Sequence, residues 1–405
     1  MNAPRRAATG GASHPAVRPL RVAVPLLALS LASTAAALGA ISLRMARRVV
    51  TPAARTPNVR MMAVDAAAQT VRLARTPDTE LPGRYGLFTE GTLDYLRIGA
   101  VVAEDEQSVT RKLLTEVPAD ATLSPDAAFS GWYFDRPEQV RVPFRDALIG
   151  APSGPCPAWV FPAAHDTDVW VIHIHGRGGT RAEALRGIPL FHSLGLTSLA
   201  VSYRNDGEAP RSRAGTYALG ATEWRDVDAA LTYARRAGAR RVILMGWSMG
   251  GAIALQAALN SAHRDLIAGL VLDSPVADWR TVLDYQAREL RLPGVVSSLA
   301  KRLVSAEWAA PLVRSDVAID FDSLDAVARA AELRHPVLLL HSDDDGFVPA
   351  DASHGLAAAR PDLVQMETFS VARHTKLWNY DEKRWTDAII RWVETQGLVR
   401  PVADE

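Results

Sequence analysis

The stretch Arg241-Val-Ile-Leu-Met-Gly-Trp-Ser-Met-Gly-Gly251 decides how this chain is read. Arg241 to Met245 is an apolar run bounded by turn formers, which predicts a strand buried on both faces of a parallel sheet. Gly251-Ala-Ile-Ala-Leu-Gln-Ala-Ala-Leu259 predicts a helix with small residues along one side. A strand that turns at once into a helix lifts the residue between them above the sheet. Crowding at such a turn calls for glycine on either side, and Gly246 and Gly250 flank Ser248 in a Gly-x-Ser-x-Gly spacing. The Ser248 hydroxyl then stands at a helix N-terminus, where free N–H groups and the helix dipole favour negative charge. A Gly-x-Ser-x-Gly pentapeptide also serves as an ordinary turn, so its weight depends on its surroundings.

Those surroundings alternate. Ala158–Phe161, Val169–Ile174 and Thr197–Tyr203 read as strands, and Ala221–Ala237 reads as a helix with Glu223 and Asp226 in its first turn. After Ser248 come Leu266–Leu272, Val337–Leu340 and Leu363–Phe369, all strand-like. Near-continuous apolar strands separated by helices predict an α/β fold with a mostly parallel sheet covered on both faces. A last helix carries Trp385, Ile389, Trp392 and Val393 as an apolar stripe, closed by Gly397. One insertion, about 277–334, breaks the alternation with helical spacings such as Val296, Leu299 and Leu303. Lying after a strand's C-terminal end, it is expected to cover the site face as a lid, or else to pack as ordinary helices.

Three further segments fall at strand C-terminal ends, where open parallel sheets place their sites. His374 follows the last strand; an imidazole there can take the proton that makes a serine hydroxyl nucleophilic. Asp343, Asp344 and Asp345 follow the strand at Val337, and one carboxylate would orient the imidazole; residue reading alone leaves all three open, beside a solvated acidic turn. His175-Gly-Arg-Gly-Gly-Thr180 lies between a strand and a helix start marked by Thr180 and Glu183, a capping-box pattern. Its glycines allow the N–H near Arg177 to join the N–H of Met249 as an oxyanion hole. A dinucleotide or phosphate loop is the poorer reading, since Gly176-x-Gly178 is followed by no glycine at position 181 and no Gly-Lys-Ser/Thr is present.

Composition sets bounds. The 405 residues are 48% hydrophobic and 22% charged with zero net charge. Residues 1–60 hold nine Arg and no Asp, Glu or Lys, which leaves the rest at −9 and argues against nucleic-acid binding. The single cysteine, Cys156, excludes an intrachain disulfide and has no nearby partner for metal binding or catalysis. No metal or organic cofactor is expected. Residues 1–21 are expected to lack order. Residues 22–43 are uncharged and apolar, with Arg44, Arg47 and Arg48 beyond them. They are long enough to anchor the chain in a membrane; a cleaved secretory signal cut near Ala37, or a buried soluble helix, are the alternatives. Residues 49–60 read as a linker and 61–150 as an accessory β-rich region, in which Val140, Val142 and Phe144 alternate as a strand. That region is expected to pack against, or rim, a catalytic domain spanning 151–400.

His175–Gly179 (HGRGG), Gly246–Gly251 (GWSMGG), His341–Pro349 (HSDDDGFVP) and Ala372–Thr375 (ARHT) together resemble the α/β-hydrolase superfamily over roughly residues 158–399. Within it the chain looks most like the esterase/lipase and prolyl-oligopeptidase-like serine hydrolases. The resemblance implies acyl transfer to water through a serine acyl-enzyme, with Ser248 as nucleophile, His374 as base and then acid, and Asp345 as the orienting acid. Ser342 stands where that motif usually has glycine. The expectation is a membrane-associated serine hydrolase acting on a small or lipid-like ester. A peptidase, amidase or acyltransferase with the same triad, and a non-catalytic hydrolase-like binding protein, are the alternatives.

Overall fold

From Arg18 to Val50 the chain forms one unbroken helix, α1, longer than the apolar stretch that predicts it. The computed structural model describes residues 18–52 and 55–399; of the segment 1–21, expected to lack order, residues 18–21 are helical and 1–17 lie outside the described residues. The span Leu29–Val50 has a mean hydropathy of 1.4 and is long and apolar enough to cross a membrane by length and composition. Its outer part stands clear of the body, with Leu26, Leu29 and Leu31 at least 60% exposed. The last turns do the opposite: Ser42, Ala46 and Val50, four apart on one face, are fully buried. Residues 49 and 50, read from sequence as the start of a linker, are therefore helical. The carbonyls at this helix end find tertiary donors in place of intrahelical ones. Tyr217 N–H donates to Val50 O at 2.8 Å, and the Arg177 guanidinium donates to Arg48 O and Thr51 O at 2.7 Å each.

Six short strands follow: β1 (Val59–Asp65), β2 (Thr70–Ala74), β3 (Tyr85–Phe88), β4 (Tyr95–Glu104), β5 (Ser108–Leu113) and β6 (Asp126–Ser130). They close into a barrel in the order β1-β2-β5-β4-β3-β6, and closure removes the edges that would otherwise invite pairing. Alternate residues such as Val71, Leu73, Leu96 and Ile98 point inward and are fully buried. Arg111 is also fully buried, and its guanidinium donates to the carbonyls of Gly99, Thr79, Leu81 and Gly83 at 2.8–2.9 Å. One buried cation thereby shapes the loop between β2 and β3.

The strand expected over residues 140–144 does not form. A 3-10 turn ends at Val140, Arg141 takes a left-handed φ of 56°, and pairing starts only at Arg145. Pro143, which cannot donate to a ladder, sits in the intervening stretch. From there β7 (Arg145–Ala151), β8 (Gly154–Phe161), β9 (Val169–Ile174), β10 (Thr197–Val201), β11 (Arg241–Trp247), β12 (Ile267–Asp273), β13 (Val337–Ser342) and β14 (Val364–Phe369) build one sheet. Its order is β14-β13-β12-β11-β9-β10-β8-β7, parallel except for the β7–β8 hairpin and the β8–β10 pairing.

Helices α2 (Ile188–Ser193), α3 (Trp224–Arg236), α4 (Met249–Asn260), α5 (Trp279–Glu289), α6 (Gly294–Ser305), α7 (Ala310–Val313), α8 (Asp351–Ala359), α9 (Leu377–Tyr380) and α10 (Glu382–Thr395) complete the chain. Neighbouring strand residues feed two separate cores, as the two-residue period of a strand requires. Ile172, Leu244 and Leu270 join Val227 of α3 and Ile253 of α4 on one face. Val171, Ile243 and Val271 join Phe191 of α2 and Trp385 and Trp392 of α10 on the other. Each large side chain buried this way contributes on the order of 2 kcal/mol. Between β12 and β13 the insertion supplies α5 to α7. Asp278 caps α5 by accepting from the N–H groups of Arg280 and Thr281. Asp284 then ties α5 to α6 through Lys301 at 2.5 Å and Ser297 at 2.8 Å. Helices α6 and α7 pack along the end of α1.

Candidate active site

Ser248 sits between β11 and α4 with φ 52° and ψ −117°, a backbone state that a non-glycine residue holds only at a cost of about 1–3 kcal/mol. Its neighbours are glycines for reasons of contact. A Cβ at Gly246 would lie 2.5 Å from Gly250 O, and one at Gly250 would lie 2.2 Å from Ile174 O. The Ser248 N–H donates to Asp273 O at 3.0 Å, which fixes the turn to the adjacent strand. Met249 is the first residue of α4, so its N–H has no partner within the helix.

His374 reaches Ser248 from the loop after β14. Its Nε2 lies 2.9 Å from Ser248 Oγ and its Nδ1 lies 2.7 Å from Asp345 Oδ2. The residues on either side, Arg373 and Thr375, have φ of 62° and 51°, so the imidazole is carried on a tightly bent backbone. The three adjacent aspartates do different things. Asp345 Oδ1 accepts from the N–H groups of Phe347 and Val348 at 2.8 Å each, leaving Oδ2 for His374. Burial pushes the Asp345 carboxyl up, but His374 and His341 outweigh it and hold the group well below the usual carboxylate range. Asp344 Oδ1 accepts from the N–H groups of Ala372 and Arg373, at 3.1 and 2.9 Å, and so pins the loop that carries His374. Asp343 lies at the surface and pairs with His354 at 2.8 Å.

The loop His175–Gly179 lies against the serine: a Cβ at Gly176 would be 3.3 Å from Ser248 Cβ. The His175 ring stacks on Tyr203 at 4.2 Å, and its Nε2 lies 3.2 Å from Asp206. The Tyr203 hydroxyl meets the carbonyls of His175 and Gly176 at 3.1 Å each. Thr180 does cap the following turn, accepting from Ala182 N–H. Glu183, however, does not complete the capping box. Its Oε2 accepts from Gly176 N–H at 2.7 Å, so it fixes the loop beside the serine. Of the two N–H groups singled out from sequence, that of Met249 lies at the helix start and that of Arg177 follows Gly176 in this loop. The Arg177 side chain is directed to α1.

Other supports escape a sequence reading. The fully buried Asp273 carboxyl accepts from Trp385 Nε1 at 2.9 Å and from Ser274 Oγ at 3.0 Å, while Ser274 Oγ accepts from Thr375 N–H at 3.1 Å. Burial raises the Asp273 carboxyl above its ordinary value, partly offset by Arg186. The available signal was an acid ending an apolar strand, Leu-Val-Leu-Asp273. The barrel also reaches this loop. Asp78 contacts Arg373 at 3.5 Å and Lys376 at 3.3 Å. Arg84 pairs with Glu382 at 2.5 Å, and Asn379 Nδ2 donates to Arg84 O at 2.8 Å. Nothing in the local pattern of residues 61–150 marks these positions. Cys156 is buried, which pushes its thiol up to about 12 and leaves it unreactive at neutral pH. Among the described residues no group of three or more His, Cys, Asp or Glu is placed to hold a metal ion.

Comparison with known proteins bears on both halves of the molecule. The family described as "Alpha/beta hydrolase family" matches residues 171–388, and a family described only as a domain of unknown function matches residues 60–130, the barrel. No curated protein matches the chain. Among solved structures, the esterase Pf2001 of Pyrococcus furiosus is similar with a TM-score of 0.50 at 15% identity, over 64% of this chain and 94% of that one. The alpha-beta hydrolase of Vibrio vulnificus gives a TM-score of 0.46 at 19% identity, over 61% and 80%. The esterase RhEst1 of Rhodococcus sp. ECU1013 gives 0.43 at 19%, over 63% and 99%. At these identities the likeness is one of fold.

Proposed function

The chain belongs to the alpha/beta hydrolase family, and from this premise we propose that it is a membrane-associated serine hydrolase cleaving carboxylic esters. The observation that carries the reading is the continuous line from Asp345 through His374 to Ser248, with contacts of 2.7 and 2.9 Å, ending on a serine held at φ 52°. Ser248 Oγ attacks the ester carbonyl carbon while His374 Nε2 takes its proton. The carboxylate of Asp345 holds Nδ1–H and stabilises the imidazolium that forms. The carbonyl oxygen becomes an oxyanion, which the N–H groups of Met249 and Arg177 receive. Collapse breaks the ester C–O bond, and His374 returns the proton to the departing alcohol. Water, deprotonated by the same imidazole, then attacks the acyl-enzyme and releases the carboxylic acid and free Ser248.

In this reading the insertion at about 277–334 is a lid, and the barrel braces the loop of His374. Helix α1 anchors the protein through residues 22–43, whose uncharged run spans about 33 Å, enough for a bilayer core of about 30 Å. An ester as substrate is supported by the Pyrococcus furiosus neighbour, itself described as an esterase. The test is labelling of the full-length protein with a serine-directed fluorophosphonate in fractionated cells, followed by hydrolysis of p-nitrophenyl esters. The expected result is a labelled band in the membrane fraction that Ser248→Ala abolishes together with esterase activity, at unchanged thermal stability. Label retained on Ser248→Ala refutes the nucleophile. A labelled protein found only in soluble fractions refutes the anchor.

A further inference from the structure

An apolar cavity of about 330 Å³ lies between the end of α1 and the insertion. Met45 and Val49 of α1 form one wall, Leu283 of α5 and Val296 and Ala300 of α6 form others, and Phe347 completes it. Its size falls at the lower end of the range for small-molecule sites, about 300–1,000 Å³. Two of its lining residues belong to the candidate active site. The Phe347 ring lies 5.2 Å from the His374 ring, and Phe347 N–H is one of the two donors to Asp345. Arg177, which follows Gly176 beside Ser248, lines the cavity too, and its guanidinium holds the carbonyls of Arg48 and Thr51.

The anchoring of α1 to this wall is not loose. Ala46 and Val50 are fully buried in the core, Arg47 Nε donates to Leu312 O at 2.8 Å, and Val50 O is held by Tyr217. Two apolar lining residues are also exposed, Phe347 by 45% and Leu290 by 51%, as is Val295 by 55% next to the lining residue Val296. Most of the lining is apolar and suits a chain of methylenes, while Arg48, Arg177, Gln286, Ser297 and Lys301 stand among the polar residues at it.

We propose that the last turns of α1 are a wall of the acyl-binding site, so that the N-terminal helix sets the enzyme's preference for esters of medium-length aliphatic acids. The proposal rests on the serine hydrolase reading and adds a role for α1 beyond attachment. Each methylene moved from water into the cavity raises kcat/KM by up to about fourfold. Octanoate esters are therefore preferred over acetate by at least tenfold, until the cavity is filled.

The experiment uses the full-length protein in phosphatidylcholine vesicles with p-nitrophenyl acetate, hexanoate, octanoate and decanoate. Met45→Trp on α1 and Ala300→Trp on the opposite wall fill the cavity from two sides. Each should lower kcat/KM for octanoate at least tenfold while acetate stays within about threefold. Val49→Ala, which enlarges the cavity without steric risk, should move the optimum toward decanoate. An unchanged chain-length profile in both α1 variants, with acetate turnover intact, overturns the proposal and leaves the hydrolase reading standing. A wild-type enzyme that prefers acetate overturns it as well. Absence of wild-type turnover on every ester, with Ser248 unlabelled, removes the hydrolase reading itself.

Discussion

Asp345→Asn tests the reading at its most exposed point, because the structure dictates which way the new amide must face. Oδ1 of Asp345 accepts from two backbone N–H groups, Phe347 and Val348, at 2.8 Å each. An asparagine must keep its oxygen there, or leave two donors unpaired at about 1–3 kcal/mol apiece. Its NH2 then points at His374 Nδ1, 2.7 Å away in the parent. A donor at that place forces Nδ1 to accept and puts the proton on Nε2, which faces Ser248 Oγ at 2.9 Å. The imidazole can no longer take the serine proton. The lost charge acts in the same direction: opposite unit charges 2.7–4 Å apart at an effective permittivity near 20 attract by roughly 4–6 kcal/mol. That corresponds to about 10³–10⁴ in kcat, in line with the known cost of a wrong tautomer in a triad. The assay is kcat on p-nitrophenyl butyrate together with the rate of fluorophosphonate labelling. Asp344→Asn should cost less, about tenfold, because it loosens Ala372 and Arg373 beside the imidazole rather than the imidazole's partner. Asp343→Asn, at the surface with His354, should be nearly silent. An Asp345→Asn enzyme within tenfold of the parent, or an Asp343→Asn enzyme that is the worst of the three, would refute the assignment.

Two further outcomes are expected. Gly250→Ala places a methyl group 2.2 Å from Ile174 O, so it should destabilise by at least about 3 kcal/mol and lower Tm by roughly 6–12 °C in a thermal melt; an unchanged Tm would show that the turn can open. Burial holds His173 neutral, its pKa lowered from 6.5 to about 3, so below pH 6.5 the unfolded chain binds a proton that the folded one refuses. Stability is then lost as pH falls from 6.5, by about 3 kcal/mol at pH 4. His173→Gln, which keeps a partner for Ser198, should lose less between pH 7 and 4 in urea titrations; parallel losses would show that His173 is not the cause.

How much of this was legible depended on where the information lay. The sheet could be read because β9, β11, β12 and β13 are short apolar runs in which consecutive residues serve opposite faces, a property of each run by itself. Ser248 could be singled out because it directly follows such a run, and His374 because it lies on the loop after the last strand. The candidate acid was harder: reading the residues alone leaves the three adjacent aspartates open, the resemblance's motif points to Asp345, and the two N–H groups after Asp345 and the two before His374 divide their tasks. Glu183 fitted a capping box by position but was drawn to Gly176, a partner supplied by the turn at the end of β9. Val140, Val142 and Phe144 alternate as a strand would, yet Arg141 turns left-handed and no ladder forms. The end of α1 ran past its apolar stretch because donors from residues 177 and 217 wait for its carbonyls, and nothing near residue 50 records them.

The ties between Asp78 or Arg84 and the segment after His374 join parts of the chain that are synthesised far apart in time. Arg84 and Asn379 are separated by 295 residues. At ribosomal rates of about 5–20 residues per second, the barrel, whose last strand ends at Ser130, is complete for roughly 12–50 s before Asn379 exists. The imidazole and the residues that lock its loop, Lys376, Asn379 and Glu382, leave the ribosome together. In the proposed mechanism the proton carrier and the brace for it therefore arrive in one step of translation, and a chain stalled or clipped before that step is inert rather than half-active.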